Sequence, residues 1–325
     1  MKTFLKHTLT TLAKFSISGA RENHDKAADN DSAMRDAFLR LTDAPLCNAI
    51  GRGTSESPYL LFNAMQLADL AMTVNAGNPM KGIFFEMKND IDLSCLCGSV
   101  MNGGFCWVPI GIPVRNHFFA GTFNGGGHRV INLFMDEFIS HQGLFGPTAA
   151  SAVIKNLSVH GTVRGDFFVG GITSFNRGSI SHCSSFVSVD GTDNSIGGIA
   201  GFNGGIIEYC SSNRTVSGRS EVGGITGRIG LGGVVTDCKN TAPVNGHSIV
   251  GGVTGINIGR ISGCFNVGAV SGVVEYSAGG IAGVNNLGTI ADSYSTGEVS
   301  GSHRTSDIAG VSDGVITSGY RPRVS

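Results

Sequence analysis

The residues able to do chemistry are few, and their spacing matches no familiar active site. Asp90 and Asp92 share one face of a predicted strand within Asn89-Asp90-Ile91-Asp92-Leu93 and read as structural. His128 has no acid at an equivalent position. Glycosidic cleavage requires two carboxylates a few ångströms apart on one face. His182, Tyr209, Asp237, Gly263 and Asp292 each precede one of five evenly spaced small residues, and no two neighbours in that series are acidic. The small residues are Cys183, Cys210, Cys238, Cys264 and Ser293. A one-sided column of thiols cannot surround zinc tetrahedrally, so this series reads as an inert buried ladder. Cys47, Cys95, Cys97 and Cys106 lie apart from it and could pair in an oxidising compartment. The chain has no His-Glu-x-x-His, phosphate-binding loop or calcium-binding Gly-Gly-x-Gly-x-Asp. No catalytic residue, metal or cofactor is therefore assigned. Candidate binding residues are two aromatic pairs, Phe175 with Phe202 and Phe265 with Tyr294, and the integrin-type tripeptide Arg164-Gly165-Asp166, placed in a predicted inter-strand turn.

Composition narrows the scaffold that must hold these groups. Glycine supplies 50 of 325 residues, against a usual share of roughly 7%. Charged residues make up 14% and the net charge is −1. That balance excludes a nucleic-acid binder, which needs a basic stripe to displace phosphate counterions. Glycine does not recur at every third position, so collagen is excluded. No run reaches the roughly 18 apolar residues of a membrane-spanning helix. Residues 1–31 read as a basic amphipathic leader followed by a polar linker, with Lys6, His7 and Lys14 breaking any secretory core.

An internal repeat decides the fold. Gly-Gly-Ile/Val begins at Gly170, Gly197, Gly223, Gly251 and Gly279, giving intervals of 27, 26, 28 and 28 residues. Gly143-Leu144-Phe145-Gly146 looks like an earlier copy and Ile308-Ala309-Gly310 like a later one. Asn176, Asn203, Asn257 and Asn285 recur, with Ile229 as the exception. Ile180, Ile207, Val235, Ile261 and Ile290 precede the cysteine series by three residues, and Val189, Val216, Val244, Val270 and Val299 follow it by six.

Short apolar tracts in a unit of 26–28 residues predict a parallel β-helix with three short strands per turn. Six to seven turns stacked about 4.8 Å apart give a rod on the order of 30 Å long. The odd isoleucine-to-cysteine spacing requires a corner or bulge between two inward side chains. Each asparagine can donate to its neighbour above while bonding local backbone. Length varies at 192–196, 219–222, 247–250, 273–278 and 302–307, which read as loops stacked along one edge. Before the repeats, Asn63 and Gln66 predict a capped helix over 64–75 with Gly77 as its stop. The chain divides into the leader, an N-terminal cap region at 32–118 and the repeats at 119–325. The last turn presents an open strand edge suited to end-to-end or edge association.

The combination of Gly-Leu-Phe-Gly with repeated Gly-Gly-Ile-Ala-Gly-x-Asn-x-Gly-x-Ile-x-x-Cys resembles the GLUG-motif repeats of bacterial surface and secreted proteins. Tyr59-Leu60-Leu61, Gln66–Ala71, Asn89–Leu93, Trp107-Val108-Pro109-Ile110-Gly111 and Phe119–Gly125 resemble the segment that precedes such repeats. The likeness covers about residues 53–318. It implies a right-handed parallel β-helix at the cell surface or outside the cell, with an adhesive role towards host or cell-surface glycans or proteins. Some immunoglobulin-cleaving metallopeptidases carry such repeats, but their zinc motif is missing from this sequence. The Cys95–Cys106 insertion also departs from the pattern. The expected function is a non-enzymatic adhesin. The alternatives are a carbohydrate-active enzyme, meaning a polysaccharide lyase or glycosidase, and a structural spacer.

Overall fold

A computed structural model describes residues 50–97, 106–273 and 276–317. The leader and Cys47 lie outside the described residues. The chain coils as a parallel β-solenoid whose strands stack into sheets of ten, seven, twelve and six strands. One turn shows the path. Asn194–Gly197 joins the six-stranded sheet, Ala200–Asn203 the seven-stranded, Ile206–Glu208 the ten-stranded, and Ser211–Ser212 with Val216–Gly218 the twelve-stranded. The expectation of three strands per turn is thus corrected: from Val169 on, each turn has four faces. Glycine and short polar residues cut most of the apolar tracts into pieces of two to four residues, with eight-residue strands at Arg129–Asp136, Ser158–Gly165 and Ser184–Gly191. In the turn that starts at Asn194, one tract bends into two strands of a single sheet.

The ten-stranded sheet runs from Tyr59–Leu61 to Val315–Thr317. Its nine steps at about 4.8 Å give a rod of about 43 Å, longer than the repeats alone suggested. The extra turns come from Phe84–Met87 and Thr122–Asn124, which pair in register with each other and with Val153–Lys155. Repeat columns stack as partners: Ile180 faces Ile207, Ile207 faces Val235 and Val235 faces Ile261. All four are fully buried.

Helix α1, Ala64–Asn75, follows the first strand, Tyr59–Leu61. Asn63 Oδ1 accepts from the Gln66 amide at 3.1 Å. Gln66 Oε1 in turn accepts from the Phe62 amide at 2.7 Å, so two end donors are satisfied. Its apolar stripe, Leu67, Leu70, Ala71 and Val74, joins the one core cluster that extends to Ala309. Asn75 fixes the helix end to the next segment, donating to the Pro109 carbonyl at 2.9 Å and accepting from the Gly111 amide at 2.8 Å.

A corner does separate isoleucine from cysteine. The intervening residue is left-handed in every turn, with φ of 53° at His182, 52° at Tyr209, 49° at Asp237, 62° at Gly263 and 47° at Asp292. Four of these five are not glycine, although that conformation costs an L-residue about 1–2 kcal/mol. The repeat glycines serve a different need. Gly197 has no left-handed backbone, but a Cβ there would lie 2.1 Å from the Ala200 carbonyl oxygen. Close approach of backbone to backbone, not turn geometry, demands glycine at that column.

Candidate functional site

The asparagines sit at the corner between the seven- and ten-stranded sheets. Asn176 Nδ2 donates to Asn203 Oδ1 at 2.8 Å, and Asn257 to Asn285 at the same distance. Each also accepts from the backbone amide two residues on: Gly178, Gly205 and Gly259 donate to Asn176, Asn203 and Asn257. At the Ile229 gap, Asn203 turns to the Val234 carbonyl at 3.0 Å. A second ladder went unnoticed in the sequence. Asn240 donates to Asn266 at 2.7 Å, and Asn266 to Ser295 at 3.1 Å. The signal was present two residues after the cysteine series, where Ser185, Ser212, Asn240, Asn266 and Ser295 stand.

Cys183, Cys210, Cys238 and Cys264 are buried free thiols. Cys183, Cys210 and Cys238 each donate to the carbonyl two residues back at 3.2 Å, and Cys264 at 3.4 Å. Ser293 makes the same bond at 2.8 Å. Burial raises the Cys183 and Cys238 thiols well above the usual range, which keeps them protonated donors. Cys95, Cys97 and Cys106 are also free, and burial pushes the Cys97 thiol up to about 12. Asp90 and Asp92 hold backbone. Asp90 pairs with Arg129 at 2.5 Å, which lowers its carboxyl, while Asp92 accepts from Asn132 and the Ser94 amide at 2.8 Å.

Only the last residue of the tripeptide, Asp166, lies in the bend between two strands. Arg164 and Gly165 belong to the strand Ser158–Gly165 in the twelve-stranded sheet. Arg164 Nη1 donates to Asp136 at 3.1 Å, and its Nε lies 3.9 Å from Asp190. Asp166 accepts from Thr192 at 3.0 Å. In-register pairing with turns on both sides places this arginine between two carboxylates, so the expected inter-strand turn is corrected to a paired strand for Arg164 and Gly165 and holds for Asp166. The stacked loops are also part sheet. Asn194–Gly197, Ser220–Gly223, Ile249–Gly251, Ser277–Gly279 and Thr305–Ser306 are strands of the six-stranded sheet, and length varies at the corner before them.

The two aromatic pairs occupy different faces. Phe265 and Tyr294 stack at 5.6 Å on the twelve-stranded sheet, with Lys239 Nζ 5.0 Å from the Phe265 ring. Phe175 and Phe202 stack at 4.2 Å on the seven-stranded sheet. The outward column of that sheet follows the buried Pro147 with Phe175, Phe202, Arg228, Ile256, Val284 and Val311, all half-buried. A solvent-facing column is ordinarily polar, so five apolar members out of six set this face apart. Phe168 meets both rings edge-on, at 5.6 and 6.1 Å, and packs against Phe167 at 5.1 Å. The Arg177 guanidinium lies 4.3 Å from the Phe175 ring.

A groove of about 570 Å³ crosses this face. Phe202 and Arg228 lie along it, with Phe167, Phe168 and residues 193–195 at one side. Gly230, Leu231 and Ile258 line the other. Leu231, 89% exposed, belongs to the two residues by which Arg228–Gly233 exceeds its counterparts. Glu221 ties the strip together, pairing with Arg228 at 3.3 Å and accepting from Ser195 at 2.7 Å. A neighbouring cavity of about 260 Å³ is lined by Trp107, Glu137 and His141. His141 packs against Phe167 and Phe168 at 5.7 and 5.1 Å, so its ring links the two hollows. Burial, followed by the nearby Arg177, pushes its pKa down to about 4, whereas burial raises the Glu137 carboxyl. His141, Phe168, Ser195 and Glu221 stand in one repeat column, each two residues before a Gly-Gly or Gly-Leu start, and all four are left-handed, but four different residue types hide that column in the sequence.

Coil, ladders and register define the chain as a parallel β-helix repeat protein. A crystal structure of a "putative immunoglobulin A1 protease" from Bacteroides ovatus shares this fold, with a TM-score of 0.62 at 23% identity over 82% of this chain and 86% of that one. Among curated proteins, the chain is 33% identical over 139 residues to a "putative Gly-rich membrane protein" of Evansella cellulosilytica, and 30% identical over 145 residues to halomucin of Haloquadratum walsbyi. These alignments take in 41% and 44% of this chain, and it spans only 15% and 2% of the relatives' lengths. No family model matches the sequence. No described helix is long and apolar enough to cross a membrane.

Proposed function

We propose that the protein is a non-enzymatic binding module of the GLUG-repeat type, secreted or displayed at the cell surface, which contacts host or cell-surface glycans or proteins through the side of its rod. The observation that carries this reading is the apolar and aromatic outward column of the seven-stranded sheet, together with the groove beside it. The names of the two curated relatives, a membrane protein and a mucin-like one, agree with a surface location. A repeat coil suits the task, since it presents a long face at fixed spacing without needing a mobile loop.

The test is adhesion of the labelled full chain to cells and matrix, with replacements along that outward column at Arg228, Ile256 and Val284. Lost adhesion with an unchanged melting temperature supports the reading; undiminished adhesion refutes a contact through that face. One observation favours a second reading, a carbohydrate-active enzyme. Glu137 and His141, both perturbed by burial, share a cavity with Trp107, and perturbed groups in a cavity are a common mark of catalysis. Turnover of any member of a polysaccharide panel, lost in Glu137→Gln, would establish that reading instead.

A further inference from the structure

We infer that the groove across the seven-stranded sheet binds an uncharged oligosaccharide, with Phe167 as the ring that meets the sugar and Leu231 as the opposite lip. This rests on the surface-module reading and names the ligand class for it. Aromatic faces with polar groups beside them suit sugars, whose C–H faces are apolar and whose rims are hydroxyls. Phe167 is the most open ring of its cluster, at 36% exposure, and its neighbour Phe168 is held edge-on against the stacked Phe175 and Phe202. Phe167 itself rests on Phe168 and His141, and a ring held by two others loses little freedom when a ligand arrives.

The polar groups decide the charge of the ligand. Arg228 is already answered by Glu221, whose second oxygen is held by Ser195. Asp193 also lines the groove, so the side chains there sum to −1 from Asp193, Glu221 and Arg228. An acidic sugar would meet Asp193 without a free cation among these lining residues. Asn194 adds an acceptor: its Oδ1 is buried with no hydrogen-bond partner among the described residues. Such a group is costly, and a turn of the amide towards a ligand hydroxyl would relieve it. A peptide strand is a poorer occupant. Ala200–Asn203, which carries Phe202, is paired on both sides, so no backbone edge is open for strand addition there.

The experiment is calorimetric titration of the full chain with chitotetraose, cellotetraose and mannotetraose, and with 3′-sialyllactose as the charged comparison. Saturable binding of at least one neutral probe is expected. Phe167→Ala and Leu231→Asp should each weaken it about tenfold, with the thermal melt unchanged in Leu231→Asp, whose side chain is 89% exposed, and lowered slightly in Phe167→Ala, which loses its contacts with Phe168 and His141. Silence of all three neutral probes at millimolar concentration overturns the proposal, as does tighter binding of sialyllactose or wild-type affinity in both variants. Adhesion of the wild type to cells, measured alongside, separates the two ideas. Adhesion without oligosaccharide binding sinks only the ligand class, and loss of both sinks the module.

Discussion

The N-terminal turns and the repeat turns reach the same coil by different packing. In the first, large rings fill the interior: Phe85 lies 6.2 Å from Phe119, Phe119 5.3 Å from Phe145, and Phe145 5.2 Å from Phe123. Helix α1 and the segment around Trp107 add to that interior. In the repeats the same space holds isoleucine, valine and a thiol, with asparagine ladders at two corners. Rings pack in individual orientations and tolerate no fixed period, whereas a small aliphatic column can repeat indefinitely. Irregular packing therefore suits the end of the array, and regular packing its length.

Three sets of substitutions probe that contrast. The largest effect is expected from Phe123→Ala, a fully buried ring touching a neighbouring ring edge-on, at about 3–5 kcal/mol. Ile207→Val in a repeat column should cost about 0.5–1.5 kcal/mol. Equal shifts in urea midpoints would remove the distinction between the two regions.

Glycine offers the next comparison. Gly197→Ala would place a methyl 2.1 Å from a carbonyl oxygen, and overpacking of this kind costs about 1–3 kcal/mol. Gly127, in the N-terminal turns, has φ +80° and open space around it, so Gly127→Ala should cost about 1 kcal/mol of backbone strain alone. A reversed order in thermal melts would contradict the close-approach explanation of the repeat glycines.

The third probe sits where the regions meet. His141 keeps a pKa of about 4 when folded, against an ordinary 6.5. Between these values the unfolded chain takes up a proton that the folded chain does not, so stability falls as pH drops through that window. The loss is on the order of 2 kcal/mol, reduced because the ring is partly exposed. Glu137 acts in the opposite sense: its raised carboxyl keeps a proton longer in the folded chain, so folding gains as pH falls. The difference between wild type and His141→Gln isolates the histidine. Parallel stability curves from pH 7 to pH 4 would show that it does not contribute.

What the sequence revealed follows the same division. The period, the isoleucine and cysteine columns and the corner between them were legible because each recurs at fixed distance. Helix α1 was legible from Asn63, Gln66 and Gly77. The fourth face was not, since strands of two to four residues, each ending on glycine or serine, leave too little alternation to read. Arg164 looked like a turn residue because glycine follows it, yet Gly165 is buried where Ile139 and Gln142 crowd its missing Cβ. At the groove, the aromatic pair and the Arg228–Gly233 insertion were both visible. Their convergence with Phe167, Phe168 and Glu221 depends on the coil, which brings residues 26–28 positions apart into contact and leaves no local trace.

The central claim is that ladders hold the rod while one lateral face does the binding. Flow cytometry of the labelled chain on target cells tests it directly, comparing Phe167→Ala/Leu231→Asp on that face with Ile206→Ser, an exposed residue of the ten-stranded sheet. The account predicts about tenfold weaker binding for the first and little change for the second. Equal binding by both variants, or a loss confined to Ile206→Ser, would contradict it.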